Sequence, residues 1–427
     1  MPTVTLFRGL RYDPARVPME RVLCPPYDVI SREDARRFRS DPHNAIWVDM
    51  PGGEADGYPG AADRLSRWRS EGVLVRDQRP SLYVLEQRFE GPDGVPRTRR
   101  GLIARLRLDD GAEQSVKPHE MTNPGPRRDR LALLRATHTH LSQVFLLSDV
   151  RENDVWRALS GADEAAPAVS VRDVDGAEHT LRPVAGPGAE KAASLLSDHG
   201  LVIADGHHRF ETALAYRDER RAAGDESACW LMAYFCPMDD PGLAIFPAHR
   251  LVRLDETLTT DEVRTRLDGT FGVVGAWSDD LTDPGMLLRR LQEPSPAPAF
   301  AIVLPAERCT LIVEFRDERW VQRLVAAGMD PTVAGLGVTL LHQVLLPQIA
   351  GIRPGTSEGV IDYENRPAEA FARLRGGEYG LGVFLNAPTL DDVIKVTAAG
   401  ETMPHKATYF YPKLPTGLVF DPLDDGG

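Results

Sequence analysis

Residues 201–216 read LVIADGHHRFETALAY, and the rest of the chain is organised around them. The first four residues are apolar, which is typical of a short buried strand. Asp205-Gly206 then interrupts the apolar run, and the apolar residues that follow recur at helical spacing. The stretch therefore predicts a strand, a tight turn and a helix.

The predicted turn has the features of an anion site. Gly206 lets a ligand approach the backbone closely, and the helix after it directs unpaired N–H groups and the positive end of its dipole at the turn. His207, His208 and Arg209 occupy the first helical turn, where Asp or Glu is ordinarily favoured. A bound anion stabilises such groups, so we predict a phosphate site over residues 205–209. The alternative is a buried strand joined to a surface helix whose His-His-Arg faces water.

Four motifs carry a resemblance to known families. Asp-Gly-His-His-Arg after an apolar strand resembles the signature of the ParB/sulfiredoxin/SerK superfamily, whose members bind nucleotide phosphates at this turn. CPPYDVI at 24–30, HEMT at 119–122 and MPHKATYFYPKL at 403–414 resemble, in that order, the family called domain of unknown function 1015. The resemblance spans nearly the whole chain. It implies an α/β fold (mixed α+β) with a ParB/sulfiredoxin-like nucleotide-binding core and a second α/β domain.

Proline and glycine mark the expected domain boundary. Residues 237–242 read PMDDPG and follow an apolar run suited to a buried strand. We therefore expect the core at residues 1–236 and a C-terminal α/β domain at residues 237–427.

Composition limits the class of protein. The chain has 427 residues and a net charge of −13, which argues against a nucleic-acid partner. It contains no apolar run long enough for a signal peptide or a membrane span, so we expect no membrane partner and a cytoplasmic protein. The 4 cysteines show no Cys-x-x-Cys spacing and are expected to be reduced. A homodimer is compatible with the sequence.

Other elements follow from periodicity and turn residues. Residues 45–48 are predicted as a strand. Residues 81–89 and 101–108 are predicted as two strands of a hairpin, because apolar and polar residues alternate on both sides of a glycine-rich turn. A helix is expected over 127–137, and a strand over 143–147.

The second candidate site segment lies near the start of the chain. Pro25-Pro26 stiffens the approach to Tyr27 and Asp28. A carboxylate on such a loop is suited to act as a base or a metal ligand. Alternatively, Asp28 caps a turn or the helix that begins near Ser31.

Residues 116–130 are predicted as a loop by their prolines, and the segment is crowded with functional side-chain types. Lys117 supplies an ammonium group, His119 and Glu120 offer proton transfer, and Thr122 offers a hydroxyl. Charged loops are usually solvated, but proline gives this one a defined shape, and ordered loops often carry function.

Two later segments also carry candidate residues. His249 and Arg250 match another motif of the resembled family and are expected to reach the site as substrate-binding residues. Lys406 and Lys413 belong to a chain that has only five lysines. They suit phosphate contact, but we interpret them as surface charges.

Three activities are associated with the resembled core. Sulfiredoxin chemistry needs a cysteine directly after the motif glycine, and this chain has His207 there. The acidic charge and the absence of a recognisable helix-turn-helix argue against a ParB-type DNA clamp. The third activity, of the SerK type, phosphorylates the hydroxyl of free serine. We therefore expect a nucleotide-dependent kinase that acts on a small hydroxyl compound, with serine as the first acceptor to try.

A kinase needs phosphate ligands, a magnesium-binding carboxylate and a group that orients the hydroxyl. The nucleotide, ATP or ADP, is assigned to Asp205, Gly206, His207, His208 and Arg209. Mg²⁺ is assigned to Asp28 or Asp205, and the catalytic roles to Asp28, His119 and Glu120. The acceptor is assigned to Tyr27, Thr122, His249 and Arg250. Two alternatives remain open: a regulatory module that binds nucleotide without turnover, and an enzyme that acts on a phosphorylated small molecule.

Overall fold

The fold is mixed α/β in a computed structural model that describes residues 2–52, 57–122, 124–254, 256–278, 284–295, 297–356 and 359–423. Its strands are β1 Val4–Thr5, β2 Leu10–Tyr12, β3 Leu74–Arg76, β4 Leu82–Glu90, β5 Pro96–Arg107, β6 Val116–Lys117, β7 Thr139–His140, β8 Val144–Ser148, β9 Asp163–Glu164, β10 Val169–Arg172, β11 Glu178–Ala185, β12 Leu201–Asp205, β13 Trp230–Pro237, β14 Ala244–Phe246, β15 His249–Val252, β16 Phe271–Ser278, β17 Ala299–Leu304, β18 Cys309–Phe315, β19 Ile361–Glu364, β20 Leu381–Leu385, β21 Tyr409–Tyr411 and β22 Asp421–Pro422.

The helices are α1 Met19–Val22, α2 Arg32–Phe38, α3 Ile46–Asp49, α4 Gly57–Ser70, α5 Ala112–Ser115, α6 Pro124–Thr137, α7 Glu152–Leu159, α8 Pro187–Ser197, α9 His207–Ala222, α10 Thr260–Leu267, α11 Pro284–Leu291, α12 Arg319–Ala326, α13 Pro331–Ala334, α14 Gly337–Leu340, α15 Leu346–Ala350, α16 Pro367–Arg375 and α17 Leu390–Ala398. A 3-10 turn covers Tyr27–Val29, and a π-helical turn covers Leu341–Leu345.

The chain forms two compact units. Unit 1 contains residues 1–90, 96–243 and 412–427, and unit 2 contains residues 91–95 and 244–411. The division after residue 236 that the sequence predicts stays a prediction about domains. The compact units divide seven residues later, and the C-terminal residues return to unit 1.

Unit 1 is built on a mixed sheet of ten strands among the described residues. Its main path runs β10-β11-β4-β5-β13-β8-β12-β6, with β1 on β5 and β9 on β11. The strands β8 and β13 are parallel, as are β6 and β12, and the other pairs are antiparallel.

One face of this sheet holds the apolar core of unit 1. Leu102, Ala104 and Leu106 of β5 lie in that core together with residues of α8 and α9. The alternation on β5 places Arg105 on the opposite face, where it forms a buried ion pair with Asp421. The predicted hairpin of β4 and β5 is therefore confirmed.

Unit 2 carries a sheet in the order β16-β18-β17-β20-β15-β19 within the described residues. Helices α11 and α16 cover one face through Leu287, Leu291, Phe371 and Leu374. All neighbouring strands of this sheet are antiparallel.

One predicted strand is wrong. Of residues 45–48, Ala45 is the N-cap of the short helix α3 and the other three lie within it, so none is in a strand. The side chain of Asn44 accepts a hydrogen bond from the backbone N–H of Ile46 at 2.9 Å. This local turn offers the backbone an alternative to strand pairing, and the apolar run Ala45–Val48 does not reveal it.

Candidate functional site

The strand-turn-helix prediction is confirmed. Strand β12 is buried over its four apolar residues, and α9 begins at His207. Gly206 joins them with a φ of 92°, in the left-handed region that glycine adopts most readily. A Cβ atom on Gly206 would also lie 2.9 Å from Nε of Arg209. Glycine is therefore required both by the turn and by the approach of the arginine.

The N-terminus of α9 has no stabilising acidic group of its own. No side chain caps the helix, and no acidic residue stands in its first turn. The first N–H groups of a helix have no partner within the helix, and they add positive potential at this point. Arg209 also lies in this first turn, so the local field favours an anion.

Asp205 anchors two cations beside this helix end. Its Oδ2 accepts a hydrogen bond from Nη2 of Arg209 at 2.6 Å, and its Oδ1 accepts one from Nζ of Lys413. Burial acts to raise the pKa of Asp205, but the charges of Lys413 and Arg209 outweigh it and hold that pKa well below its ordinary value. One carboxylate thus faces two cations, which leaves a net charge of +1 on the cluster.

The position of Lys413 corrects one interpretation made from the sequence. Lys413 is not a plain surface charge, because its side chain is only 15% exposed and is paired with Asp205. The sequence signal was its place in the motif at 403–414 in a chain that is poor in lysine.

His119 and His207 meet behind the turn. Strand β6 runs parallel to β12, which brings the loop after it to the start of α9. Nε2 of His207 accepts hydrogen bonds from the backbone N–H groups of His119 at 3.2 Å and Glu120 at 3.3 Å. An imidazole nitrogen that accepts carries no proton, so the neutral ring of His207 has its proton on Nδ1.

The ring of His119 donates a hydrogen bond, whereas the ring of His207 accepts two. Nδ1 of His119 donates to the carbonyl of Ile203 at 2.5 Å, because a carbonyl only accepts. Burial lowers the pKa of both imidazoles, and that of His207 falls well below its ordinary value. Both rings are therefore neutral near pH 7, and Nε2 of neutral His119 has a lone pair that can accept a proton.

Glu120 and Thr122 also lie in the loop after β6. Oε1 of Glu120 lies 4.0 Å from Nε2 of His119. The hydroxyl of Thr122 donates to Oε2 of Glu211 on α9 at 2.7 Å. Arg127 lies 3.6 Å from the same Glu211 oxygen. The loop after β6 is thus tied to α9 by side chains as well as by backbone.

Tyr27 and Asp28 lie on the 3-10 turn after the two prolines. The guanidinium of Arg130 lies 4.2 Å from the ring centre of Tyr27. Burial raises the pKa of Tyr27 to about 12, and the nearby charges of Arg209 and Asp28 also act on it. Asp28 is exposed and does not cap α2, since the side chain of Ser31 performs that role at 3.0 Å from the backbone N of Asp34.

A small cavity extends beside Arg209. It has a volume of about 50 Å³, which exceeds the roughly 10–15 Å³ that one water needs. The polar and charged residues in its wall are Asp49, Arg130, Thr139, His140, Ser142, Arg209 and Thr212. Asp49 pairs with Arg130 at 3.1 Å and accepts from the hydroxyl of Thr416 at 3.3 Å. Sequence reasoning missed Asp49, Arg130 and Thr416, because no local motif marks them.

His249 and Arg250 belong to strand β15 of unit 2. Arg250 is fully buried, donates to Nε2 of His342 at 3.2 Å and to the carbonyl of Lys406 at 3.3 Å, and lies 5.2 Å from the ring centre of Tyr363. Burial lowers the pKa of His249 to about 3. Their assignment as substrate-binding residues stays a prediction.

Two features are absent from the described residues. In those ranges no helix is long and apolar enough to cross a membrane. Within the same ranges, no group of three or more His, Cys, Asp or Glu residues has an arrangement that could hold a metal ion.

A protein-family model matches most of the chain. The model for DUF1015, described as a protein of unknown function, matches residues 4–339. The chain belongs to this family. The match covers the motifs at 24–30 and 119–122 and the turn at 205–209 of this DUF1015 chain. Membership of the wider ParB/sulfiredoxin superfamily stays a prediction.

Solved structures resemble this DUF1015 chain at low identity. A free serine kinase variant in complex with ADP is 13% identical, with a TM-score of 0.35 and coverage of 74% of this chain and 92% of that one. A conserved hypothetical protein from Pyrococcus furiosus is 15% identical, with a TM-score of 0.34 and coverage of 75% and 96%. SbnI with a C-terminal truncation, from Staphylococcus aureus, is 10% identical, with a TM-score of 0.36 and coverage of 76% and 90%. The comparison with curated proteins finds no match.

Proposed function

We propose that this DUF1015 chain is a nucleotide-dependent kinase that phosphorylates the hydroxyl of a small molecule, with L-serine as the first acceptor to test. One observation carries the nucleotide part: one carboxylate, Asp205, holds Arg209 and Lys413 beside a helix N-terminus that has no side-chain cap. Helix N–H groups together with Arg and Lys side chains are suited to bind phosphate oxygens.

The first turn of α9 binds the phosphates in this proposal. Gly206 permits close approach of the backbone, and His207 and His208 contribute the N–H groups of the helix start. Arg209 supplies a guanidinium whose position is fixed by Asp205 and by the main-chain carbonyl of Gln143. Preorganised donors of this kind stabilise the charge that spreads over a transferred phosphoryl group.

In this proposal, the loop after β6 supplies a base that takes the proton of the substrate hydroxyl. The acceptor hydroxyl oxygen attacks the terminal phosphorus, the bond from that phosphorus to the bridging oxygen breaks, and the hydroxyl proton passes to a nearby base. His119, Glu120 and Asp28 are the candidate bases or orienting groups. Burial lowers the pKa of His119, so its ring is neutral near pH 7 and can accept the proton. Tyr27 and Thr122 would orient the acceptor.

Magnesium fits one of its two predicted ligands better than the other. Asp28 is an exposed carboxylate on a short turn, and its oxygens suit a hard cation. Both oxygens of Asp205 already accept hydrogen bonds from cations, so Asp205 fits Mg²⁺ only after it releases one of them. When bound, the ion would neutralise phosphate charge. A cytoplasmic location and a homodimer stay predictions.

Thermal unfolding with ligands tests this proposal, because a ligand of the native state raises the unfolding temperature. The full chain is heated with ADP, ATP, CTP or GTP and Mg²⁺, each with and without L-serine. We expect an adenine nucleotide to raise the midpoint and serine to raise it further, and ³¹P NMR should then detect phosphoserine.

Each other outcome has a defined meaning. A shift without turnover for any acceptor supports the regulatory module. A shift with a phosphorylated metabolite and none with nucleotide supports an enzyme of another class. No shift with any nucleotide contradicts the proposal.

A further inference from the structure

Gln143 has a buried side chain without a protein partner. None of its surface is exposed, and neither its Oε1 nor its Nε2 has a hydrogen-bond partner among the described residues. A buried primary amide that makes no hydrogen bond is costly, and most buried polar groups are satisfied. The unsatisfied amide of Gln143 therefore suggests that its side chain hydrogen-bonds a ligand.

Gln143 lies next to the cation cluster. Its main-chain carbonyl accepts a hydrogen bond from Nη1 of Arg209. Two residues further along, Phe145 of β8 stands opposite Asp205 of β12 in the sheet register. Gln143 directly precedes β8, which begins at Val144, and its carbonyl contact with Arg209 places its main chain beside the residue that Asp205 holds. The cavity lined by Ser142 and Arg209 adjoins the same segment.

Lys413 belongs to the C-terminal segment, residues 412–423, and this segment brings its side chain to Asp205. The carbonyl of Pro412 accepts from Arg99 at 2.6 Å, and the carbonyl of Lys413 accepts from Nε2 of Gln87 at 3.4 Å. Further along, Asp421 is held by Arg105 in a buried ion pair. These contacts hold the backbone of the C-terminal segment in place at residues 412–413 and the side chain of Asp421 further along. The backbone position from which the Lys413 side chain extends to Asp205 is therefore fixed.

We propose that Lys413 and Gln143 complete the nucleotide site: Lys413 binds phosphate oxygens, and the side-chain amide of Gln143 hydrogen-bonds a polar group of the same nucleoside phosphate. Asp205 is then a positioning residue that holds Lys413 and Arg209 ready for the anion. This inference rests on the proposed function and extends its ligand set by two residues.

Replacing Gln143 distinguishes a ligand-binding role of its side chain from a structural role. Gln143→Leu removes an unsatisfied polar group and keeps most of its volume, so the midpoint of urea unfolding should stay the same or rise without nucleotide. Affinity for ADP should fall about tenfold or more, because the ligand loses its buried partner.

Gln87→Leu is the matched control for stability. Gln87 is also fully buried, but its side chain accepts from Nε of Arg99 at 3.0 Å and contacts His179 at 3.1 Å. Its removal leaves these partners unsatisfied, so the urea midpoint should fall. If Gln143→Leu lowers the midpoint as much as Gln87→Leu does, Gln143 is structural and the proposal is overturned.

Lys413→Met tests the second residue, with Lys395→Met as its control on the exposed helix α17. Isothermal titration with ADP should show affinity reduced about tenfold or more for Lys413→Met and unchanged for Lys395→Met. If the wild-type chain binds no nucleotide, the proposed function itself fails. If the wild type binds ADP and both Lys413→Met and Gln143→Leu bind it equally well, only this inference fails.

Discussion

Two arginines of this chain, Arg209 and Arg250, are compensated in different ways. In unit 1, Arg209 pairs with Asp205, which a second cation, Lys413, also contacts. In unit 2, Arg250 is fully buried, and no carboxylate pairs with it in the part of the chain that the structure describes. Its hydrogen-bond acceptors are the carbonyls of Ala248 and Lys406 and the ring nitrogen of His342.

The two arginines therefore differ in the charge of the groups that surround them. The Asp205 cluster carries excess positive charge at a helix N-terminus, where an anion is stabilised. Neutral acceptors surround Arg250, and burial lowers its pKa to about 10. The proposed function assigns the first arrangement to phosphate binding, whereas the second joins three segments of unit 2.

The largest effect is expected for Asp205→Asn. This change leaves Arg209 and Lys413 buried against a neutral amide, and breaking a buried ion pair typically costs about 3–5 kcal/mol. Urea unfolding at pH 7 should therefore show a loss of that size. An unchanged unfolding free energy would show that the carboxylate does not anchor the two cations.

A smaller effect is expected for Arg250→Met. The change removes the guanidinium and leaves no opposite charge unpaired, so the loss is limited to hydrogen bonds with neutral acceptors, about 2 kcal/mol or less. The same urea titration measures it beside Asp205→Asn. A loss as large as that of Asp205→Asn would remove the contrast between the two clusters.

The pH dependence of stability tests the neutral state of His207. Burial holds its pKa in the folded chain well below the ordinary value of 6.5. The unfolded chain therefore binds a proton that the folded chain excludes, so stability is complete above pH 6.5 and falls as the pH drops below it.

His207→Gln keeps an acceptor for the backbone N–H groups of His119 and Glu120 and cannot be protonated in this range. We expect the unfolding free energy of this variant to depend less on pH between 6.5 and 5, by up to about 1.4 kcal/mol per pH unit. Urea titrations at several pH values check this. Equal slopes for wild type and variant would mean that His207 is protonated in the folded chain.

The smallest stability effect is expected for Gly206→Ala. Its φ of 92° strains any residue with a side chain by about 1–2 kcal/mol, and the new Cβ would press on the Arg209 guanidinium. Gly224→Ala is a matched control, because Gly224 has a φ of 80° and an added Cβ there would meet no described atom within 4 Å. Only Gly206→Ala should also weaken ADP binding in a titration. Equal ADP affinity of both variants would argue against ligand contact at Gly206.

The sequence predicted the parts of the site that lie close together along the chain. Periodicity and a glycine mark the turn from β12 to α9, and the strands of the β4–β5 hairpin follow from their alternation. Helix α6 was also predicted and begins three residues earlier than expected. These signals are local, so one window of sequence contains them.

The missing parts depend on distant chain segments. Lys413 meets Asp205 across 208 positions, and Thr416 meets Asp49 across 367. No spacing rule joins such residues, and only the sheet and the path of the C-terminal segment bring them together. The helix at Ile46–Asp49 was missed for another reason, since the hydrogen bond that the Asn44 side chain accepts from the backbone N–H of Ile46 outweighs strand propensity there.

Calorimetric titration of the full chain with ADP and Mg²⁺, for wild type and Arg209→Ala, tests whether the turn between β12 and α9 binds nucleotide. Arg135→Ala serves as the control, since Arg135 is half-exposed and pairs with Glu219. We expect wild type and Arg135→Ala to bind ADP with equal affinity and Arg209→Ala to show no detectable binding. Equal binding by all three proteins would contradict a nucleotide site at the turn between β12 and α9.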